Sequence, residues 1–198
     1  PDEDALVSIS EQSSANGGGP YNLLKDLAKL GAEFPLQAAG IVGDDADGRW
    51  ILEDCREHGI DISRLKSSEL APTSYTDVMS VEATGRRTFF HQAGTNALLD
   101  DGDVELAESS AEFFYLGYLL LLETLDRRGS DGKTGASRLL RRASEAGLHT
   151  VVDLVSVHMG NFSQVVLPWS KPDASAEESF EAAVADVQGG YEALPKFA

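Results

Sequence analysis

Three consecutive glycines at positions 17–19 stand directly before a stretch whose pattern predicts a helix. Pro20 suits a first helical turn, where its missing N–H would have no partner, and leucines recur at helical spacing until Gly31. Glycine tolerates positive φ and lets a ligand approach the backbone N–H groups. Asn22 adds an amide at the positive end of the helix dipole. The run predicts either a plain connection or a cradle for a hydroxyl-rich or anionic molecule; its spacing is not that of a P-loop or a dinucleotide fingerprint.

The overall composition indicates a soluble globular protein. The chain has 198 residues, 42% hydrophobic and 25% charged, enough for one domain with a small appendage. A net charge of -17 repels nucleic acid and anionic membranes. No apolar run is long enough for a membrane helix, and the N-terminal residues are unlike a signal peptide. With Cys55 as the single cysteine, we expect a cytoplasmic protein that binds neither membrane nor nucleic acid.

Short apolar segments alternate with helical segments along most of the chain. This alternation predicts an α/β fold with a mainly parallel sheet that helices cover on both faces. The predicted strands are residues 34–42, 113–116 and 150–154, and the predicted helices are residues 20–30, the stretch that ends before Gly59, 103–109, 135–146 and 180–187.

A β-hairpin interrupts this alternation. Residues 73–83 and 86–93 are rich in strand-forming residues and flank a turn at Thr84 and Gly85. Together with an alternating segment at residues 5–10, the hairpin predicts a small sheet that lies over the glycines as a lid and excludes water. An edge hairpin of the main sheet and a dimer surface are the alternatives. The predicted division assigns residues 1–10 and 71–93 to the lid and residues 11–70 and 94–198 to the core domain.

Acidic residues follow two of the predicted strands. Asp45 comes after the first, and Asp153 is close to the end of the last; ligands gather at the carboxyl ends of strands in open α/β sheets. A calcium loop is excluded, because its first ligand position would fall on Gly43, which has no side chain. Asp45 is better explained as a turn residue and helix cap.

Several segments, in order and at their spacing, resemble the ribokinase-like sugar kinases, also called the PfkB carbohydrate kinase family. The resemblance covers most of the chain between residues 5 and 168. It is carried by GGPYN (18–22), LAKLG (27–31), GIVGDD (40–45), GIDIS (59–63), GRRTF (85–89), GTNA (94–97) and YLGY (115–118).

This resemblance implies a ribokinase-like fold with Rossmann-type layering and a small β-sheet lid. It implies transfer of a phosphoryl group from ATP, with Mg²⁺, to a hydroxyl of a small sugar. By the same resemblance, Gly18, Gly19 and Asn22 hold sugar hydroxyls, and Asn96 and the lid residue Arg87 contribute near the closed substrate. A homodimer formed through the lid is a further expectation by analogy.

The chain also departs from the family. Neither the Gly-Ala-Gly-Asp motif that carries the general base nor the Asn-x-x-Glu motif associated with magnesium is found, so no residue is assigned to catalysis, to ATP or to metal. Either segments are absent around residues 127–134 and after 168, or the protein lacks the ATP half. The first is expected, because a sheet cut after residue 168 would leave an exposed edge.

Two alternatives to a sugar kinase remain open from the residues. One is a nucleoside kinase of the same fold, with a purine-sized apolar pocket lined by Tyr75 or Phe89. The other is a non-catalytic sugar-binding protein.

Overall fold

The computed structural model describes residues 6–106 and 110–155. The helices are α1 (Gly19–Lys29), α2 (Ala46–Glu57), α3 (Glu123–Asp126) and α4 (Gly135–Glu145), and short 3₁₀ turns occur at Gly94–Ala97 and Asp101–Asp103. The strands are β1 (Gln37–Gly43), β2 (Asp61–Ser68), β3 (Tyr75–Ser80), β4 (Arg87–Gln92), β5 (Phe113–Leu119) and β6 (His149–Leu154). No helix in this described part is long and apolar enough to cross a membrane.

Parallel strand pairs form the framework. β1 pairs with β2 from Gln37 opposite Asp61 onward, and β5 pairs with β6 from Phe113 opposite His149 onward. Parallel strands require a crossover, and α2 and α4 provide these crossovers. The predicted α/β architecture is confirmed, although the described strands form three two-stranded sheets, not one continuous sheet.

The helices begin where the sequence supplies a suitable first residue. Asp45 caps α2 by accepting a hydrogen bond from the Gly48 N–H at 2.7 Å, which confirms the predicted cap. Thr134 caps α4 in the same way through the Ser137 N–H at 3.1 Å. α1 has no side-chain cap; it begins after Gly18, with Pro20 in its first turn.

The main hydrophobic core lies between α4 and the β5–β6 sheet. Leu119 of β5, Leu125 of α3 and Leu139 of α4 are almost completely buried within it. Full burial of a leucine contributes about 1.5–3 kcal/mol, so this half of the molecule is well anchored. α1, by contrast, has no fully buried residue.

Residues 73–93 form the predicted hairpin. β3 and β4 pair antiparallel from Tyr75 opposite Gln92 to Ser80 opposite Arg87. Every residue of both strands is exposed.

Two sequence-based predictions need correction, one strand was not predicted, and one predicted helix lies outside the described residues. Residues 6–10 are exposed and form no strand, because an alternating segment becomes a strand only when it has a pairing partner. β2 was not predicted, because its Asp, Ser, Arg and Lys residues are not typical of a buried strand. The strand forms by pairing with β1. The predicted helix at 103–109 is only a 3₁₀ turn at Asp101–Asp103 where it is described; residues 107–109 and the predicted helix at 180–187 lie outside the described residues.

Candidate substrate site

The three consecutive glycines open the glycine turn, residues 17–22, and each has a different environment. A Cβ atom added at Gly17 or Gly18 would meet nothing within 4 Å, and Gly18 has a φ of +98°, a conformation that favours glycine. At Gly19 the added atom would lie 2.9 Å from Tyr118 Cε1 and 3.0 Å from Asp153 Oδ2. The open backbone is therefore at Gly17 and Gly18, while side chains of this protein fill the Cβ side of Gly19.

Two asparagines flank these glycines. The Asn22 N–H donates to the Gly18 carbonyl at 2.9 Å, which closes the first turn of α1, and its side chain is exposed. Asn16 has its Nδ2 atom buried without a hydrogen-bond partner. A buried donor without an acceptor costs about 1–3 kcal/mol, so an acceptor supplied by water or ligand would be stabilising there.

Asp153 lies beside the glycine turn, at the end of β6 that the sequence indicated. The Tyr115 hydroxyl donates to Asp153 Oδ2 at 2.7 Å. Burial, reinforced by the Asp153 carboxylate, raises the pKa of Tyr115 above its ordinary value, so the hydroxyl remains a donor at neutral pH. Sequence reasoning missed Tyr115 and Tyr118 as neighbours of the glycines; the only signal was the YLGY segment of the family resemblance.

Asp45 has a structural role at the carboxyl end of β1. Its carboxylate accepts hydrogen bonds at 2.7 Å from the Gly48 N–H, the Thr73 N–H and the Thr73 hydroxyl. These bonds, that from the Thr73 N–H foremost, hold the pKa of Asp45 below its ordinary value. Thr73 in turn accepts from the Gly43 N–H at 2.9 Å. We call this set, together with Gly94 and Thr95, the hairpin junction, because it joins β1 and α2 to the start of the hairpin.

Asn96 lies in the 3₁₀ turn that follows the hairpin, and its neighbours fix this turn. Thr95 is completely buried; its N–H donates to the Pro72 carbonyl at 2.8 Å and its hydroxyl donates to the Ile41 carbonyl at 2.9 Å. The Ala97 carbonyl accepts from the Thr124 hydroxyl at 2.6 Å. Asn96 is therefore held, half-buried, next to β1.

Arg87 is exposed at the start of β4. Its guanidinium carbon lies 5.3 Å from the centre of the Phe89 ring, a cation–π arrangement. The structure thus brings Gly18, Gly19 and Asn22 together in one turn, whereas Arg87 and Asn96 lie on the hairpin and on the turn that follows it.

Tyr75 and Phe89 are both exposed, and strand alternation puts them on opposite faces of the hairpin.

No metal site can be assigned within residues 6–106 and 110–155, where no three His, Cys, Asp or Glu side chains are close enough to hold an ion. No residue of the described chain is therefore assigned to Mg²⁺.

Comparison with known proteins gives consistent matches. The sequence model of the pfkB family carbohydrate kinases matches residues 2–186. The 5-dehydro-2-deoxygluconokinase of Shouchella clausii (strain KSM-K16) is 27% identical over 141 residues, which are 70% of this chain and 41% of that protein. Among solved structures, ribokinase from Giardia lamblia matches with a TM-score of 0.63 at 21% identity, covering 83% of this chain and 48% of its own.

A fructokinase from Xylella fastidiosa, solved with bound ATP, matches with a TM-score of 0.58 at 21% identity. That match covers 83% of this chain and 46% of the fructokinase. At this identity, the two structural matches establish the ribokinase-like fold. The chain spans about half the length of these relatives or less.

Proposed function

The chain belongs to the pfkB family of carbohydrate kinases, and on that premise we propose that the protein transfers the γ-phosphoryl group of ATP to a hydroxyl of a small sugar. The observation that carries this proposal is the family match over residues 2–186, which includes the glycine turn, the hairpin and the turn that holds Asn96. Phosphoryl transfer requires mainly positioning, charge stabilisation and exclusion of water.

We assign the sugar to the glycine turn. The unobstructed backbone at Gly17 and Gly18 and the exposed amide of Asn22 offer donors to hydroxyl groups, and the unpaired Asn16 Nδ2 is a further donor next to them. In this proposal, Gly18, Gly19 and Asn22 form the substrate cradle. Arg87 and Asn96 contribute from the hairpin and the turn after it when the site closes.

ATP and Mg²⁺ are the proposed phosphoryl donor and its cation, as expected for the family. The solved fructokinase with bound ATP, which shares the fold, supports the nucleotide. The sugar and ATP are the small-molecule partners, and we propose that the protein works in the cytoplasm.

The hairpin is also the proposed surface for a homodimer. Tyr75, Val78, Met79, Phe89 and Phe90 are all exposed on its two faces, each by more than 40%. One face can cover the substrate while the other packs against a second copy. Sedimentation of the wild type and of Phe89→Ser would test this: a dimer that dissociates in the variant supports it, and a monomeric wild type contradicts it.

The kinase proposal is tested by ADP release from the full-length protein. The panel contains ATP and Mg²⁺ with neutral sugars, nucleosides and sugar acids, including 5-dehydro-2-deoxygluconate because of the Shouchella relative. Turnover that depends on magnesium and on one sugar supports the proposal. Turnover with nucleosides alone would instead identify a nucleoside kinase.

A non-catalytic sugar-binding protein is distinguished by titration calorimetry. The sugar kinase is expected to bind both a sugar and a non-hydrolysable ATP analogue. Sugar binding without nucleotide binding, and without turnover on the panel, would replace the kinase proposal with the binding protein.

A further inference from the structure

The Cβ side of Gly19 is filled by side chains from two other elements. A methyl group there would lie 2.9–3.0 Å from ring atoms of Tyr118, which belongs to β5, and 3.0 Å from Asp153 Oδ2, which belongs to β6. A real Cβ atom essentially never makes a contact of 2.9 Å, and a contact of 3.0 Å requires the neighbour to move by a few tenths of an ångström. The first residue of α1 is therefore located by direct contact with the ends of the β5–β6 sheet.

Asp153 is itself held in place by a hydrogen bond and by close packing. The oxygen that faces Gly19 is the same Oδ2 atom that accepts the Tyr115 hydroxyl at 2.7 Å. A Cβ at Gly117 would lie 3.0 Å from Asp153 Cβ, so the β5 backbone is in close contact with the base of this side chain. A carboxylate held by a hydrogen bond and by close packing is a fixed support for the turn.

α1 needs such a support. It has no fully buried residue and no side-chain cap, whereas the β5–β6 sheet belongs to the main hydrophobic core. The contact at Gly19 thus links a weakly packed helix to the best-packed part of the described molecule.

We propose that Tyr115, Tyr118 and Asp153 are positioning residues that hold Gly19 and so set the place and direction of the substrate-binding glycine turn. They act through Gly19 and need not touch the substrate. The consequence for substrate binding rests on the proposed function, but the positioning of the turn does not.

A displaced turn should weaken sugar binding selectively. The contacts that it makes with sugar hydroxyls are present in both the ground state and the transition state, so their loss raises KM for the sugar more than it lowers kcat. KM for ATP should stay the same, because Tyr115, Tyr118 and Asp153 act on the turn that is assigned to the sugar. A merely structural role would change the thermal midpoint without this split.

The first experiment adds a methyl group and then makes room for it. We expect Gly19→Ala to weaken sugar affinity by about tenfold, because the new Cβ pushes the turn away from Tyr118. Tyr118→Leu removes the two ring atoms that it would meet, so the double variant should recover most of that loss. Gly102→Ala is the matched control, since a Cβ there meets nothing within 4 Å. Losses that simply add in the double variant would overturn the proposal.

The second experiment removes the hydrogen bond to Asp153. Tyr115→Phe deletes only the hydroxyl, and Asp153→Asn keeps an oxygen that can accept it. We expect KM for the sugar to rise about tenfold in Asp153→Ala, about threefold in Tyr115→Phe and less in Asp153→Asn. An Asp153→Asn variant as impaired as Asp153→Ala would mean that the charge matters and not the hydrogen-bonded position, which contradicts the proposal.

A measurement without sugar separates the proposed kinase function from the proposed positioning role. Amide hydrogen exchange over residues 16–22 should become faster in Tyr115→Phe and in Asp153→Ala than in the wild type, with exchange around Gly102 unchanged. If the wild type binds no sugar on the panel but this exchange responds, the proposed function fails and the positioning role stands. If exchange over residues 16–22 is the same in all three proteins, the positioning role is wrong.

Discussion

The glycine turn and the hairpin junction are both rich in glycine and polar side chains, but they differ in how many of their hydrogen-bonding groups have a partner within the protein. At the junction, Asp45 accepts three hydrogen bonds and Thr95 donates two. In the turn, two glycines have open space beside them, and Asn16, directly before it, has a buried donor without a partner. A region whose hydrogen bonds are complete holds the fold together, whereas a region with open backbone and a missing acceptor is suited to a ligand.

The largest expected effect is that of Gly48→Ala at the junction. Helix propensity alone would favour alanine by about 1 kcal/mol. The new Cβ, however, would collide with the Gly43 carbonyl oxygen and lie 3.0 Å from the Thr73 hydroxyl oxygen. We expect the free energy of unfolding in urea to fall by about 3 kcal/mol or more. Gly102→Ala is the control and should change the free energy of unfolding by less than about 0.5 kcal/mol. A Gly48→Ala protein more stable than the wild type would show that Gly48 is not closely packed against Gly43 and Thr73.

Asp45→Ala should have the next largest effect. It removes the cap of α2 and leaves three donors from Gly48 and Thr73 without their acceptor. The expected loss in the free energy of unfolding is about 2–3 kcal/mol. Asp44→Ala, at the exposed neighbouring residue, should cost less than about 0.5 kcal/mol. Equal losses in the two variants would mean that the network does not stabilise the junction.

Asp45 should also make stability depend on pH at the acidic end. Its folded pKa is lowered, so its contribution is complete above its unfolded pKa of about 3.9 and is lost as pH falls through the lower folded value. The difference in unfolding free energy between wild type and Asp45→Asn should therefore be constant from about pH 7 to about pH 5 and shrink below about pH 4. If this difference in unfolding free energy stays constant down to the lowest pH, the folded protein does not favour the ionised form of Asp45.

Gly18→Ala should have a moderate effect at the glycine turn. There is space for the methyl group, but a φ of +98° strains an alanine, and the expected loss of stability is about 1–2 kcal/mol. Gly17→Ala has the same space without a positive φ, so it should change stability by less than about 0.5 kcal/mol. Thermal unfolding of the two variants measures the cost of the positive φ at Gly18, because neither methyl group meets a neighbour. Equal midpoints would show that this backbone conformation costs no stability.

The smallest effect on stability is expected for Asn16→Ala. Removing an unpaired buried donor should leave the free energy of unfolding unchanged or raise it by up to about 1 kcal/mol. If the missing acceptor is a sugar hydroxyl, calorimetry should show weaker sugar binding in the same variant. A variant that is less stable and binds sugar normally would show that Asn16 is structural.

Sequence reasoning predicted the parts of the fold that have local signals. The helix after Gly18, the cap at Asp45 and the hairpin around Gly85 are each specified by residues within one turn or one strand. β2 and the missing strand at residues 6–10 could not be predicted, because each depends on whether a distant partner is present.

The candidate site shows the same limit. Gly17, Gly18 and Gly19 look equivalent in the sequence, yet Gly19 is needed for packing against Tyr118 and Asp153. That requirement comes from residues 99 and 134 positions further along the chain, and no local pattern encodes it. The place of Asp153 at a strand end could be predicted from the order of strands, whereas its hydrogen bond to Tyr115 could not.

Thr95 has a mechanical consequence for the hairpin. Because this residue ties both Pro72 and Ile41 and has no exposed surface, the root of the hairpin cannot swing without breaking buried bonds. Any closing movement must bend further out, beyond the Ser74 hydroxyl, which donates to the Gln92 carbonyl at 3.1 Å and fastens the two strands at their base. If the hairpin closes over a substrate, we therefore expect the bend to lie within the paired strands, with the base of the hairpin unmoved.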